Sequence, residues 1–284
     1  MSQLAAILNL TLRSQTGASR TLLMTATILV GAHATVLAIH PEATLLSNIF
    51  ILCLLLLATA LCLVGAHTEC NEARPLWLLL GAGFLLATVG QLAWTYDAYA
   101  AHLRTHPQAF NGDFFFFVYG IPILLAICSR DKDAGLRTFV WLDGTQALIA
   151  AMLAYVLLFS VLPSHARPRP IPASTLNYFT DAENWILVAA VSLRFFSNPT
   201  SARRRFYRTL SIYLWVNAVV VLILGYLELE LGWRDGVQDA AWGLPELALC
   251  AAFAFQRGDL ADGGEPRSGH RGFPSQSAPK PSSQ

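Results

Sequence analysis

Carboxylates and aromatic side chains gather where long apolar blocks of this sequence begin or end, and one carboxylate lies well inside a block. Carboxylates are costly at membrane depth, so each of them invites a functional interpretation. If the blocks meet in space, these residues would form a pocket suited to a cation, an amine or a proton-linked signal. The candidate ligand-binding residues are Tyr96, Asp97, Asp113, Asp181, Glu183, Trp185, Glu228 and Glu246.

A purely structural explanation competes with this pocket. Asp113 and Asp181 are expected near helix N-termini, where the helix macrodipole stabilises an anion. Loops on the outer side of a membrane also carry few basic residues, so their acids stand out. On this interpretation the acids only mark helix ends, and for the set as a whole it stays open.

Glu246 differs from the other acids because the sequence places it within the hydrocarbon layer, next to Pro245. An unpaired carboxylate at that depth would be protonated or would pair with a neighbour. Glu228 and Glu230 are the nearest acids at the end of the preceding block, and a shared proton would allow the pairing. The sequence therefore predicts a functional or structural partner for Glu246.

Three further polar residues lie inside or at the edge of apolar blocks, namely Asp143, Gln146 and Asn217. Gln146 follows Asp143 by three residues, which places both on one face of a helix. Polar side chains in such places often hydrogen-bond across helices. Interhelical bonding is the prediction for these three, and a role in a signal or ion path is the alternative.

Other kinds of site have little support in the sequence. The G-x-S-x-G, H-E-x-x-H and P-loop motifs are absent, so we predict no enzyme and no cofactor. His102 and His106 are four residues apart but flank Pro107, which favours an exposed loop over a metal site. The net charge of +1 gives no reason to expect nucleic acid as a partner. The Arg203-Arg204-Arg205 cluster is better explained as a topology anchor that meets anionic lipid.

The apolar blocks themselves determine the expected fold. Hydrophobic residues make up 55% of the chain and charged residues only 13%, against about 25% charged in soluble domains. A span needs about 20 mostly apolar residues, and lipid forces its backbone into a helix. We therefore predict an all-α polytopic transmembrane helix bundle with about eight spans. The predicted spans are residues 21–39, 45–66, 76–96, 113–128, 139–162, 176–196, 210–231 and 240–255.

Basic residues predict the orientation of these spans. If the N-terminus is cytoplasmic, fifteen of the nineteen Lys and Arg residues fall on the cytoplasmic side, as the positive-inside rule requires. We expect a multi-pass protein of the cell inner membrane with both termini in the cytoplasm. Residues 1–20 would form a cytoplasmic segment, residues 21–257 the transmembrane domain and residues 258–284 a disordered tail. A signal peptide cleaved at Ala32-His33-Ala34 is the alternative for the first block.

Three stretches of the sequence resemble a known family. Residues 76–99 contain Leu-Leu-Leu-Gly-Ala-Gly-Phe and Val-Gly-Gln-Leu-Ala-Trp-Thr-Tyr, and residues 112–122 read Gly-Asp-Phe-Phe-Phe-Phe-Val-Tyr-Gly-Ile-Pro. Together with Trp141-Leu142-Asp143-Gly144, they resemble the multi-spanning N-terminal sensor region of bacterial diguanylate cyclases and sensor histidine kinases. The resemblance covers about the middle third of the chain. It implies a region that receives a signal and passes it to a cytoplasmic output domain, although no cyclase or kinase signature follows the last span.

Three hypotheses about function follow. The first is a membrane sensor or interaction module that lies in the lipid bilayer and acts on a signalling partner in trans. A homodimer is compatible with this hypothesis. The second is a small-solute or ion transporter that uses Glu246 and neighbouring acids. The third is an intramembrane enzyme, which would need the outer acids and histidines to converge in space.

Overall fold

A computed structural model describes residues 2–69, 72–99, 111–129, 173–197, 201–231 and 236–262, and side chains from residue 17 onward with short gaps at helix ends. These ranges are helical, and no strand occurs among them. The helices are α1 (Ser2–Ile39), α2 (Thr44–Thr68), α3 (Arg74–Tyr99), α4 (Asn111–Val118), α5 (Gly120–Cys128), α6 (Ala173–Ser197), α7 (Ser201–Leu231), α8 (Gly236–Ala241) and α9 (Leu244–Asp262).

Four of these helices are long and apolar enough to cross a membrane, which agrees with the prediction of an all-helical membrane protein. The apolar stretches are Gly17–Ile39 in α1, Thr44–Thr68 in α2, Arg74–Tyr96 in α3 and Ser201–Leu227 in α7. A shorter apolar stretch, Phe114–Cys128, runs through α4 and α5. The predicted span 139–162 lies outside the described residues. The total of eight spans therefore stays a prediction.

Two helices extend beyond the predicted spans. α1 begins at Ser2 rather than at residue 21, and α9 continues to Asp262 rather than ending at residue 255. Hydropathy detects only the apolar part of a helix, whereas the helix itself continues until a breaking residue. The first proline of the chain is Pro41, two residues after α1 ends. The last predicted span also begins later than expected, because a turn at Trp242 and Gly243 separates α8 from α9.

The apolar stretch of α4 and α5 is broken in the middle, at Tyr119. Pro122 follows three residues later and has no backbone N–H, so the carbonyl of Val118 loses its usual donor. The break at Tyr119 is the local consequence. It places the Tyr119 side chain at a junction between two short helices rather than within one continuous span.

The helices pack in a closed order around a common core. Along the ring, α1 contacts α2, α2 contacts α3, α3 contacts α4 and α5, α5 contacts α6, α6 contacts α7, α7 contacts α9, and α9 contacts α1. Aromatic rings fill the centre. Trp77 of α3 meets Phe206 of α7 and Phe253 of α9 edge to face, at centroid distances of 5.1 and 5.3 Å. Phe84 meets Tyr213 in the same way at 5.1 Å.

Gly65 shows how closely α2 and α3 approach each other. A Cβ atom at this position would lie 2.6 Å from a ring carbon of Trp77. We expect Gly65→Ala to lower stability by about 1–3 kcal/mol, as overpacking of a tight core does. The measurement is thermal unfolding in detergent.

Gly31→Ala is the matched control for that variant. A Cβ atom on Gly31, in the middle of α1, would meet nothing within 4 Å. Alanine has the higher helix propensity, so Gly31→Ala should be neutral or slightly stabilising. Equal losses of stability for the two variants would contradict the close α2–α3 approach at Gly65.

Candidate functional site

Three polar side chains from different helices bond to one another inside the bundle. The Tyr119 hydroxyl, at the α4–α5 junction, donates to Asn184 Oδ1 of α6 at 2.9 Å. The Asn217 amide of α7 donates to the same Asn184 oxygen at 2.9 Å and lies 3.4 Å from the Tyr119 hydroxyl oxygen. Tyr119 and Asn184 are buried, and Asn217 is half-buried. The three residues therefore link three helices through one amide oxygen.

Two acids border this network. The Glu183 carboxyl of α6 rests against Gly120, so closely that a Cβ atom on Gly120 would overlap Glu183 Oε1. Glu246 of α9 is only 6% exposed. It lies near enough to Tyr119, Tyr213 and Cys250 to interact with them electrostatically. Glu246 Oε2 is buried, and no described residue donates a hydrogen bond to it.

The network and both acids lie at a common depth, and together we call them the polar layer: Tyr119, Glu183, Asn184, Asn217 and Glu246. In α6, α7 and α9, ten to twelve residues separate this layer from an arginine nearer one end of the bundle. At 1.5 Å per residue the separation is about 17 Å. This separation is about half the thickness of a hydrocarbon core, which is about 30 Å.

The composition of the polar layer defines the chemistry that it can support. Two carboxyls, two amides and a phenol can bind a proton, a small cation or an amine. Glu246 is also in the first turn of α9, where the helix dipole favours an acid, and one carboxyl oxygen faces the backbone N–H of its own residue. The dipole explains an acid in that turn, but it leaves Glu246 Oε2 unsatisfied at a cost of about 1–3 kcal/mol.

The structure separates the predicted ligand-binding residues into groups. Glu183 and Glu246 belong to the polar layer. Tyr96, near the end of α3, is 65% exposed, and Trp185 of α6 is 37% exposed with its ring edge against Trp215. Asp181 is half-buried on α6. The side chains of Asp97, Asp113 and Glu228 lie outside the described part of the structure.

Among the residues predicted to bond between helices, Asn217 of α7 donates to Asn184 of α6. Asp143 and Gln146 lie outside the described residues. Sequence reasoning did not identify Tyr119 and Asn184 as site residues. Asn184 directly follows Glu183 in an apolar block, and Tyr119 lies three residues before a proline. The apolar block around Asn184 and the proline after Tyr119 are the sequence features that could have identified these two residues.

A second polar region lies at one end of the bundle, which we call the arginine-rich end: Glu69, Ser129, Arg194, Arg203, Arg205 and Arg257. Glu69, just after α2, binds Arg205 of α7 at 3.2 Å and Arg257 of α9 at 3.4 Å. Arg257 also bonds to Thr68. Burial lowers the pKa of Arg257, and Arg205 adds to that effect while Glu69 opposes it.

The backbone carbonyl of Ser129, at the end of α5, is the other acceptor at the arginine-rich end. Arg194 of α6 and Arg203 of α7 each donate to it at 2.9 Å. The guanidinium of Arg194 also lies 5.9 Å from the ring centroid of Tyr207. The ends of α5, α6 and α7 are therefore joined at one carbonyl oxygen.

Comparison with known proteins gives no family for this chain. No protein-family model matches it, and neither a curated protein nor a solved structure shows significant similarity to it. The resemblance of residues 76–122 to bacterial sensor regions therefore stays a prediction. In the part of the chain that the structure describes, no three His, Cys, Asp or Glu side chains are placed to hold a metal ion.

Proposed function

We propose that this protein is a multi-pass sensor-like or interaction module of the cell inner membrane, with about eight spans and both termini in the cytoplasm. It receives its signal at the outer face or within the membrane and acts on a signalling partner in trans. The split of Lys and Arg residues between the two sides supports the orientation. The four long apolar helices support the membrane location.

The observation that carries this proposal is the buried Glu246 carboxyl with its unpartnered Oε2 atom. A charge at this depth without a partner is expensive, so a proton, cation or amine that binds there relieves a real cost. Because the polar layer joins α5, α6, α7 and α9, binding would change the packing of several helices at once. A site of this kind suits a receptor of small cationic or protonic signals.

The same helices provide a route for the signal. α6, α7 and α9 carry polar-layer residues and also Arg194, Arg205 and Arg257 at the arginine-rich end, about 17 Å away. Helices are stiff elements, and shifts of about 1–2 Å at helix interfaces are typical of switching proteins. We infer that a change at Glu246 moves the N-terminal end of α7 and the C-terminal end of α9. A cytoplasmic partner would detect the movement there.

The test measures the distance between two spin labels in lipid nanodiscs. One label is at the N-terminal end of α7 and the other is at the C-terminal end of α9. We expect the distance to change by about 1–2 Å when the pH is stepped from alkaline to acidic or when sodium replaces N-methyl-D-glucamine. The Glu246→Gln variant should lose this response. Asp181→Asn removes an equal charge from the half-buried acid on α6 and should retain it.

Two outcomes would overturn the sensor proposal. One is a wild-type distance that stays constant under both changes. The other is a Glu246→Gln variant that responds like the wild type. Glu246→Asp keeps the carboxylate. A partial response from that variant would show that Glu246→Gln loses its response through a loss of binding and not through a loss of folding.

A transporter is the second candidate, because the same buried carboxyl suits a site for a moving ion. Purified protein in liposomes would then carry proton or sodium flux, and Glu246→Gln would abolish it. Flux in the wild type without any distance change between α7 and α9 would favour the transporter. A distance change without flux would favour the sensor.

A further inference from the structure

A cleft lies between α5 and α6 at the arginine-rich end of the bundle. Its volume is about 280 Å³. Its lining is mostly apolar and consists of Ile127, Cys128, Ala190, Leu193, Arg194 and Ser197. A mostly apolar cleft whose lining also includes a guanidinium and a hydroxyl matches a ligand with an apolar chain and an anionic head.

Arg194 is the charged residue of this cleft, and no acid among the described residues forms an ion pair with it. It donates to the Ser129 carbonyl and faces the Tyr207 ring, while its buried Nε atom has no hydrogen-bond partner among the described residues. Glu69, the acid of the arginine-rich end, forms ion pairs with Arg205 and Arg257. Arg194 therefore carries a positive charge that no described acid neutralises.

The surface beside the cleft is strongly apolar. Leu193 is 73% exposed and Phe196 is 84% exposed, and both lie in the last two turns of α6 next to Arg194. In a membrane protein such side chains face lipid acyl chains. An acyl chain could therefore continue from this surface into the cleft, with its head group at the level of Arg194.

We propose that the cleft between α5 and α6 binds an anionic phospholipid. The phosphate accepts hydrogen bonds from the Arg194 guanidinium and from the Ser197 hydroxyl, which gives up its 3.3 Å bond to the Arg194 carbonyl. An acyl chain lies against Ile127, Ala190 and Leu193. Arginine suits this role because its planar guanidinium binds phosphate through two donors. The site is independent of Glu246 and of the sensor function.

A free phosphate ion would use the same guanidinium but would leave the apolar wall of the cleft without a function. The continuity of that wall with Leu193 and Phe196 favours the lipid. The location also agrees with the orientation proposed above, since the arginine-rich end would then face the anionic cytoplasmic leaflet.

The test is native mass spectrometry of the purified full-length protein with phosphatidylglycerol or phosphatidylcholine added. We expect the wild type to retain phosphatidylglycerol in preference to phosphatidylcholine. Arg194→Gln should bind phosphatidylglycerol about fivefold more weakly, the factor expected for one basic residue near an anionic lipid surface. Arg208→Gln is the matched control, because it removes an equal charge from an exposed arginine of α7 and should bind as the wild type does.

A second variant tests the apolar half of the cleft. Ala190→Trp fills it without changing any charge, and it should also reduce phosphatidylglycerol retention if the acyl chain occupies that space. The proposal is overturned if wild-type protein retains both lipids equally, if Arg194→Gln and Arg208→Gln lose the same affinity, or if inorganic phosphate displaces the lipid completely. Melting temperatures of all variants show whether a loss of binding is a loss of folding.

Discussion

Replacing Glu69 with glutamine is expected to lower the stability of the bundle by about 3 kcal/mol, the lower part of the range for removing one partner of a buried ion pair. Glu69 stands between two arginines, with Oε2 3.2 Å from Arg205 Nη2 and Oε1 3.4 Å from Arg257 Nη2. The side chains of Glu69 and Arg257 are only 9% and 8% exposed. Glutamine keeps the shape but removes the negative charge that faces both cations.

The position of Glu69 supports this interpretation. It is the residue that ends α2, and its backbone N–H bonds to the Gly65 carbonyl at 2.9 Å. The helix dipole disfavours an anion at a helix C-terminus. The two arginines therefore have to outweigh an unfavourable local field, and the acid ties the end of α2 to α7 and α9.

The measurement is thermal and denaturant unfolding in detergent micelles. Glu42→Gln is the matched control, because its pair with His40 is 3.4 Å long but 79% and 66% exposed, and exposed pairs contribute little. The double variant Glu69→Gln with Arg257→Met removes the buried cation as well, so it should be more stable than Glu69→Gln alone. If the double variant is the less stable of the two, the stranded charge is not the cause.

The distribution of apolar residues was sufficient to predict the helical class and the four long apolar helices, because hydrophobic length is a local property. It was also sufficient to single out Glu246 and Asn217, since polar residues are conspicuous inside apolar blocks. What it could not supply is which residues meet. Glu69 finds its partners 136 and 188 positions further along the chain, and nothing near it in sequence indicates them.

The polar layer is a second example of contacts that the sequence does not indicate. Pro122 is visible in the sequence, yet its important consequence is the hydrogen bond from the Tyr119 hydroxyl to Asn184, which depends on α6 packing against α5. Hydropathy also could not locate the helix ends. The polar residues of α1 before Gly17 continue the helix without adding to its apolar length. Pairing between helices is therefore the part of this site that needed the structure.

Truncating Trp77 to alanine is expected to cost about 3 kcal/mol, at the lower end of the range for a buried tryptophan. Its side chain is 1% exposed and contacts helices on three sides, through Gly65, Phe206 and Phe253. Lipid is as apolar as the core, so transfer out of water contributes less than in a soluble protein. Most of the loss comes from the ring contacts and from the cavity that alanine leaves.

Trp77→Phe separates packing from hydrogen bonding at this position. The buried Trp77 Nε1 atom has no partner in the described part of the chain, so phenylalanine removes an unsatisfied donor while it keeps an aromatic ring against Phe206 and Phe253. We expect Trp77→Phe to cost less than half as much as Trp77→Ala in thermal unfolding. Trp242→Ala is the control, since that ring is 39% exposed and should cost about 0.5 kcal/mol or less. A loss at Trp242 equal to the loss at Trp77 would show that the centre of the bundle lies elsewhere, because only a ring enclosed by three helices leaves a cavity when it is removed.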